Sequence, residues 1–208
     1  MIEMKGSDQA SEGTVFVIED DDAIGEALCD LFDLAGIHSR RFASAEEFTE
    51  VWLPAMAGCL VLDVRLPGMS GMELQARLVD SGMEIPIILI TAHGDIPMVR
   101  KALKSGAVEF LTKPFQDDEI LHAVRHALIL DRERREKHTA AEGVRMRIQS
   151  LSAREREVIA HVTNGLTNRE IASKLYLSVA SVKLYRRLAM EKLQADSVAD
   201  LVKMWEKQ

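Results

Sequence analysis

At 208 residues, 47% of them apolar, the chain is long enough for one or two domains with real cores. No apolar run approaches the roughly 20 residues that span a bilayer, and the N-terminal stretch up to Gly13 lacks the apolar core of a signal peptide. Cys29 and Cys59 are too few for a metal centre and both fall in apolar patterns, so buried reduced thiols in a cytosolic protein are expected. The net charge of −7 is uneven: residues 1–127 carry 10 Lys and Arg against 22 Asp and Glu, 128–149 carry 6 against 4, and 150–208 carry 10 against 7. An acidic body joined to a mildly basic tail suggests two partners of different kinds.

Thr14 to Ile18 is a β-branched, apolar strand candidate that runs straight into Glu19-Asp20-Asp21-Asp22. Ile24, Ala27, Leu28, Leu31, Phe32 and Ala35 then recur at helical spacing, and Gly36 ends that helix. Ser39 to Phe42 predicts a short second strand. Ser44 with Glu47 predicts a capping box for the next helix. Cys59 to Leu62 is a third, fully apolar strand, ending on Asp63 and a Pro67-Gly68 turn. Ser70 and Glu73 repeat the box and open a helix to about Asp80. Ile85 to Ile90 is the fourth strand, with Pro86 near its start, where a ladder tolerates it. It leads to Thr91-Ala92-His93-Gly94. A helix is expected over roughly Pro97 to Ser105, and a fifth strand over Val108 to Leu111, followed by Thr112-Lys113-Pro114-Phe115. The last helix of this part starts near Asp117 and carries Ile120, Leu121, Val124, Ala127 and Leu128 on one face.

Strands alternating with helices over residues 13–130 predict an α/β doubly wound five-stranded parallel sheet with helices on both faces. From Asp131 to Lys137 nearly every residue is charged, and the segment 131–149 reads as a helical extension serving as a semi-rigid linker. Beyond His138 a flexible charged tether fits the composition equally well. Residues 150–208 predict a small all-α, four-helix domain. Ser152 with Glu155 caps a helix holding Val158, Ile159 and Val162. Thr167 with Glu170 caps a second holding Ile171, Ala172 and Leu175. A turn at Tyr176-Leu177-Ser178 leads into a third from Val179 to about Gln194, and Ser197 caps a fourth with Leu201 and Trp205. Two helices joined by a three-residue turn are a helix-turn-helix signature.

Each polar residue at a strand end is by itself an ordinary turn or cap residue. Together they form a set. If the strands take the order 2-1-3-4-5, the first and third strands are neighbours, and Glu19, Asp20 and Asp63 meet at the switch point of the sheet, with Thr91 and Lys113 alongside. Carboxylates that close repel unless a cation neutralises them, and oxygen donors select Mg²⁺ or Ca²⁺, with Mg²⁺ the better match when a phosphate oxygen shares the ion. A Lys and a hydroxyl at the same spot can grip the remaining phosphoryl oxygens. The chemistry permitted is phosphoryl transfer to the carboxylate of Asp63.

Val17 to Asp21, the strand and turn around Asp63, Ile90 to Asp95 and Phe110 to Phe115 resemble the receiver domain of bacterial two-component response regulators, over residues 13 to about 130. The resemblance implies that Asp63 is the phosphoacceptor, that Glu19, Asp20 and the backbone carbonyl of Arg65 join it in holding Mg²⁺ (with Mn²⁺ or Ca²⁺ able to take the same place), that Lys113 contacts the phosphoryl group, and that Thr91 and Phe110 are a switch pair. Glu19 stands where Asp is the commoner choice. Phe110 lacks the hydroxyl of the Tyr often found there, so its movement would be driven by packing. The face around 97–110 is the expected homodimer surface.

Leu151 to Val158, Gly165 to Ala172, Ser181-Val182-Lys183 and Lys192-Leu193 resemble LuxR-type helix-turn-helix domains. Val182, Ala189 and Leu193 should face the core, Tyr185 its edge, and Lys183, Leu184 and Arg187 a DNA major groove. Arg can pair with guanine, and Leu184 with a thymine methyl. Thr167, Asn168, Lys174 and Arg186 are candidates for phosphate contacts, which position without specifying. Tyr176 occupies a turn position where these domains usually have Gly, and Tyr is poorly suited to a left-handed conformation. A differently shaped turn is therefore expected, which weakens Ser178 and Val179 as contacts.

Both resemblances together imply a cytoplasmic transcription regulator of the NarL/FixJ type, similar to its FixJ group. Its implied partners are a sensor histidine kinase, promoter DNA, RNA polymerase and a second copy of the chain. Such a protein assists its own phosphorylation and is not a metabolic enzyme. Two rival readings differ in class. A haloacid-dehalogenase-like phosphatase also sets Asp and Mg²⁺ beside a parallel sheet, but needs a second Asp two residues after the nucleophile, where Arg65 stands. A DNA-binding protein indifferent to phosphate would have no use for Glu19, Asp20, Asp63, Thr91 and Lys113 together.

Overall fold

The computed structural model describes residues 13–205, so the N-terminal stretch up to Glu12, for which the sequence predicts no signal peptide, lies outside the described residues. The chain divides between Arg134 and Arg135 into two compact units. In the first, strands β1 (Thr14–Ile18), β2 (Ser39–Phe42), β3 (Gly58–Asp63), β4 (Ile87–Thr91) and β5 (Glu109–Thr112) form one parallel sheet in the order β2-β1-β3-β4-β5. Helices α1 (Asp22–Leu34), α2 (Ala45–Val51), α3 (Gly71–Asp80), α4 (Ile96–Lys104) and α5 (Asp117–Gln149) connect and follow the strands.

Alternation along the strands decides which helix packs where. Phe16, Ile18, Leu60, Leu62 and Leu89 point to one face and pack with Phe48 of α2, Leu74 and Leu78 of α3 and Ala102 of α4. Val15, Val17, Cys59, Val61, Ile88 and Ile90 point to the other and pack with Leu28 and Phe32 of α1 and Ile120 and Val124 of α5. Both faces are covered, which is why the central strands are apolar throughout instead of alternating with polar residues. Cys59 is buried and Cys29 half-buried, and both are free thiols.

Several boundaries differ from the sequence reading. Ile85 and Pro86 precede β4, and β5 begins at Glu109, one residue later than expected. Asp95, not read as a cap in the sequence, caps α4 by accepting the Met98 N–H at 2.8 Å. At α2 the box is only half formed. The Ser44 hydroxyl accepts the Glu47 N–H, but the Glu47 carboxylate takes the N–H of Ala43, one residue before the cap. The boxes at Ser70–Glu73, Ser152–Glu155 and Thr167–Glu170 are complete.

The charged run after the sheet differs most. α5 continues to Gln149, so the tether alternative beyond His138 is not what the chain adopts. Nor is the run uniformly solvated. Asp131 is buried, and its carboxylate accepts the N–H of Gly58 at 2.9 Å and pairs with Arg134. Gly58, with φ 148°, has no room for a side chain against the Thr14 carbonyl.

In the second unit, α6 (Ala153–Thr163), α7 (Asn168–Leu175), α8 (Val179–Leu193) and α9 (Val198–Trp205) enclose a core of Val158, Ile159, Val162, Ile171, Val182, Ala189, Leu193 and Leu201, to which Ile148 from the end of α5 also belongs. Tyr176 itself takes the left-handed conformation, at φ 54° and ψ 45°. The expected change in turn shape does not occur. The Leu177 N–H donates to the Ala172 carbonyl at 3.0 Å and Leu177 packs on the core, which holds the turn in the form a glycine would give.

Candidate functional site

Parallel pairing brings the acidic pocket together. The register sets Ile18 opposite Leu62, so the next residues, Glu19 and Asp63, leave their strands side by side. Leu111 lies opposite Ile90, and the Lys113 N–H donates to the Thr91 carbonyl at 2.8 Å, which fixes the far side. From there the Lys113 ammonium reaches back and donates to Asp63 Oδ2 and to Glu19 Oε2, at 2.6 Å each. Asp63 Oδ1 accepts the Arg65 N–H at 2.8 Å. Carboxylate oxygens of Glu19, Asp20 and Asp63 lie within 4.8 Å of one another. Glu19 and Asp63 are buried and Asp20 is exposed, so the pocket opens to solvent on the Asp20 side.

Burial lifts the Glu19 carboxyl above its ordinary value; the hydrogen bond from Lys113 works against this and the neighbouring Asp63 adds to it. Burial would lower the Lys113 ammonium, but its bonds to Asp63 and Glu19 outweigh that and hold it higher than usual. Lys113 brings one positive charge to three carboxylates. The donor set is all oxygen and still carries excess negative charge, so the residues fit a hard divalent cation such as Mg²⁺.

Thr91 is fully buried, and its hydroxyl accepts the His93 N–H at 3.3 Å. Phe110 is buried with Ala102 in the α2–α3–α4 core. Its ring lies against Gly94, where a Cβ would come within 2.8 Å of Phe110 Cε1. Ile96 and Leu103, by contrast, leave large apolar side chains exposed on α4 beside Pro97, Arg100 and Lys101.

Some residues that shape the pocket were missed in the sequence. Gly71 approaches the Asp63 carbonyl so closely that a Cβ would collide with it. Glu46 accepts the Met69 N–H at 2.9 Å and so ties down the loop between β3 and α3. Neither has a local signature, because each partner lies in another element. Arg41 of β2 donates to the Glu19 carbonyl at 3.3 Å.

On α8, Val182 and Ala189 are buried while Lys183, Leu184 and Arg187 are exposed, with Tyr185 half-buried at the core edge. Lys174 is exposed on α7. Arg186 donates to Asn168 Oδ1 at 3.3 Å, so these two candidate phosphate contacts are paired with each other. The Thr167 hydroxyl is engaged by Glu170 in the cap of α7. Opposite the exposed face, Lys192 donates to both oxygens of Glu155, at 3.0 and 2.7 Å. Burial pushes the Glu155 carboxyl up, but Lys192 and the Ser152 cap outweigh it and hold the group below its ordinary value.

Residues 15–125 match the family described as response regulator receiver domain, and residues 149–205 the family described as bacterial regulatory proteins, luxR family. Nodulation protein W of Bradyrhizobium diazoefficiens is 44% identical over 200 residues, covering 96% of this chain and 88% of its own. The transcriptional regulatory protein FixJ of Azorhizobium caulinodans is 42% identical over 190 residues, covering 91% of this chain and 90% of its own. Among solved structures, the response regulator StyR is 43% identical with a TM-score of 0.87, covering 94% of this chain and 98% of its own. No helix among the described residues is long and apolar enough to cross a membrane.

Proposed function

This chain belongs to the two-component response regulators that combine a receiver domain with a LuxR-type DNA-binding domain, and from that premise we propose that phosphorylation of Asp63 controls its binding to promoter DNA. It is a regulator of transcription and not a metabolic enzyme. The observation that carries the proposal is the meeting of Glu19, Asp20, Asp63 and Lys113 at one end of the sheet.

In this reading the Asp63 carboxylate forms the new P–O bond as the P–N bond to a sensor kinase histidine breaks, and the histidine leaves with the electron pair. The Arg65 N–H and the Lys113 ammonium orient the attacking carboxylate. Glu19, Asp20, Asp63 and the Arg65 backbone carbonyl would hold Mg²⁺, or Mn²⁺ or Ca²⁺ in its place. When bound, the ion supplies neutralisation of the charge that develops on the transferring group. Lys113 then moves from the carboxylates to a phosphoryl oxygen, and the Thr91 hydroxyl turns towards another. The space Thr91 leaves is open to Phe110, and the face from Pro97 to Phe110 changes with it. Exposed Ile96 and Leu103 on that face favour a homodimer.

We place the receiver at 13–130, a helical linker at 131–149 and the DNA-binding domain at 150–208, with Asp131 and Ile148 as the linker's two anchored ends. Lys183, Leu184 and Arg187 read bases. Lys174 contacts phosphates, and Thr167, Asn168 and Arg186 join it once their present partners release them. A sensor histidine kinase upstream and RNA polymerase at the promoter complete the partners, all in the cytoplasm.

The test is exposure to acetyl phosphate and Mg²⁺, followed by peptide mass mapping and light scattering. One phosphoryl group on Asp63 is expected, absent with EDTA or in Asp63→Asn, together with a shift from monomer to dimer. No gain at Asp63 would favour a DNA binder indifferent to phosphate, and steady turnover of phosphate esters a phosphatase.

A further inference from the structure

Arg41 lies outside every motif of the acidic pocket, yet its guanidinium holds the pocket's backbone. Nη2 donates to the Glu19 carbonyl at 3.3 Å and pairs with the Asp22 carboxylate. The Glu19 N–H is held from the same strand, donating to the Phe42 carbonyl at 3.1 Å. Both peptide groups flanking the Glu19 side chain are therefore anchored on β2, and the second of them leads into Asp20.

The fold accommodates this arrangement at a cost. Arg41 Nε is buried with no hydrogen-bond partner, which is unfavourable for a charged donor. The side chain lies across α1 at Gly25, where a Cβ would collide with Nε and with Cδ. A glycine inside a helix is disfavoured relative to alanine. The Asp22 pair offers little in return, because the Asp22 side chain is 83% exposed. The Asp22 pair therefore does not account for Arg41 and Gly25 together, and the remaining hydrogen bond is the one to the Glu19 carbonyl.

We propose that Arg41, seated over Gly25, is a positioning residue that sets the divalent-cation affinity of the pocket by fixing the backbone between Glu19 and Asp20. This rests on the reading of that pocket as a Mg²⁺ site. Groups that orient metal ligands from behind commonly change metal affinity by about 10- to 100-fold when removed. A through-space effect has the opposite sign: losing a positive charge near the pocket would tighten cation binding.

The experiment is calorimetric titration of the full chain with Mg²⁺, alongside melting of the metal-free protein, for wild type, Arg41→Met, Gly25→Ala and Glu19→Gln. Gly25→Ala displaces the guanidinium without removing it and improves the helix. Both Arg41→Met and Gly25→Ala should bind Mg²⁺ at least about tenfold more weakly, with Gly25→Ala melting no lower than wild type. Unchanged or tighter binding in Gly25→Ala would overturn the inference, even if Arg41→Met were impaired through misfolding. Wild type that fails to bind Mg²⁺, or binds it as well after Glu19→Gln, would instead remove the metal-site reading and this inference with it.

Discussion

Lys113 is shared between two carboxylates, Glu19 and Asp63, and under the proposed function this sharing is what lets the pocket respond. A residue bonded equally to Glu19 and Asp63 can be drawn away by a group with more negative charge, and a phosphoryl group brings roughly −1.5 to −2. Glu155 is the opposite case, a carboxylate whose every partner is structural. It is buried, accepts the Ser152 N–H at 2.7 Å and is gripped by Lys192. Because its folded value lies below the unfolded one, its contribution to stability is fully present above the ordinary carboxylate range near about 4.3 and is lost as pH falls through the lower folded value. Glu155→Gln keeps the cap but loses the charge. Urea unfolding at pH 7 should show it about 1–3 kcal/mol less stable, with a smaller further loss on acidification than wild type. An equally steep acid limb in the variant would count against this assignment.

At the scale of elements, two details separate what the sequence displays from what only folding creates. The central strands were legible because strands covered on both faces must be apolar throughout, and the polar residues that end them marked the pocket. Complete boxes at Ser70, Ser152 and Thr167 located three helix starts. Asp131 was not legible. It stands in a run of charges, and its partner Gly58 is 73 positions away. Asp131→Ala leaves a buried N–H unpaired and should cost about 1–3 kcal/mol, with faster amide exchange at Gly58, whereas exchange there unchanged would mean the bond contributes nothing. The turn at Tyr176 departs from its sequence expectation for the converse reason. Sterics disfavour Tyr there, but the Leu177 bond and its packing fix the turn regardless of the residue that occupies it. At 96% exposure, Tyr176 contributes strain with little packing in return. Tyr176→Gly should therefore raise the melting temperature, by an amount corresponding to about 1 kcal/mol; a lower one would show that the ring packs on something.

For the whole molecule, charge division and family membership point the same way. The first 127 residues carry 22 acidic against 10 basic side chains, which suits the proposed cation site and repels nucleic acid. The DNA-binding part, at 10 basic against 7 acidic, is only weakly attracted to it. One copy should therefore bind promoters poorly, and two held together far better through effective concentration. In the proposed function the acidic pocket would then act as the control point for a reading head of low intrinsic affinity. The direct measurement is DNA footprinting across the genome with wild type and Asp63→Asn, each with and without acetyl phosphate and Mg²⁺. Phosphorylated wild type is expected to protect discrete sites at concentrations where the other three samples protect none. Equal protection by Asp63→Asn and phosphorylated wild type would contradict control through Asp63.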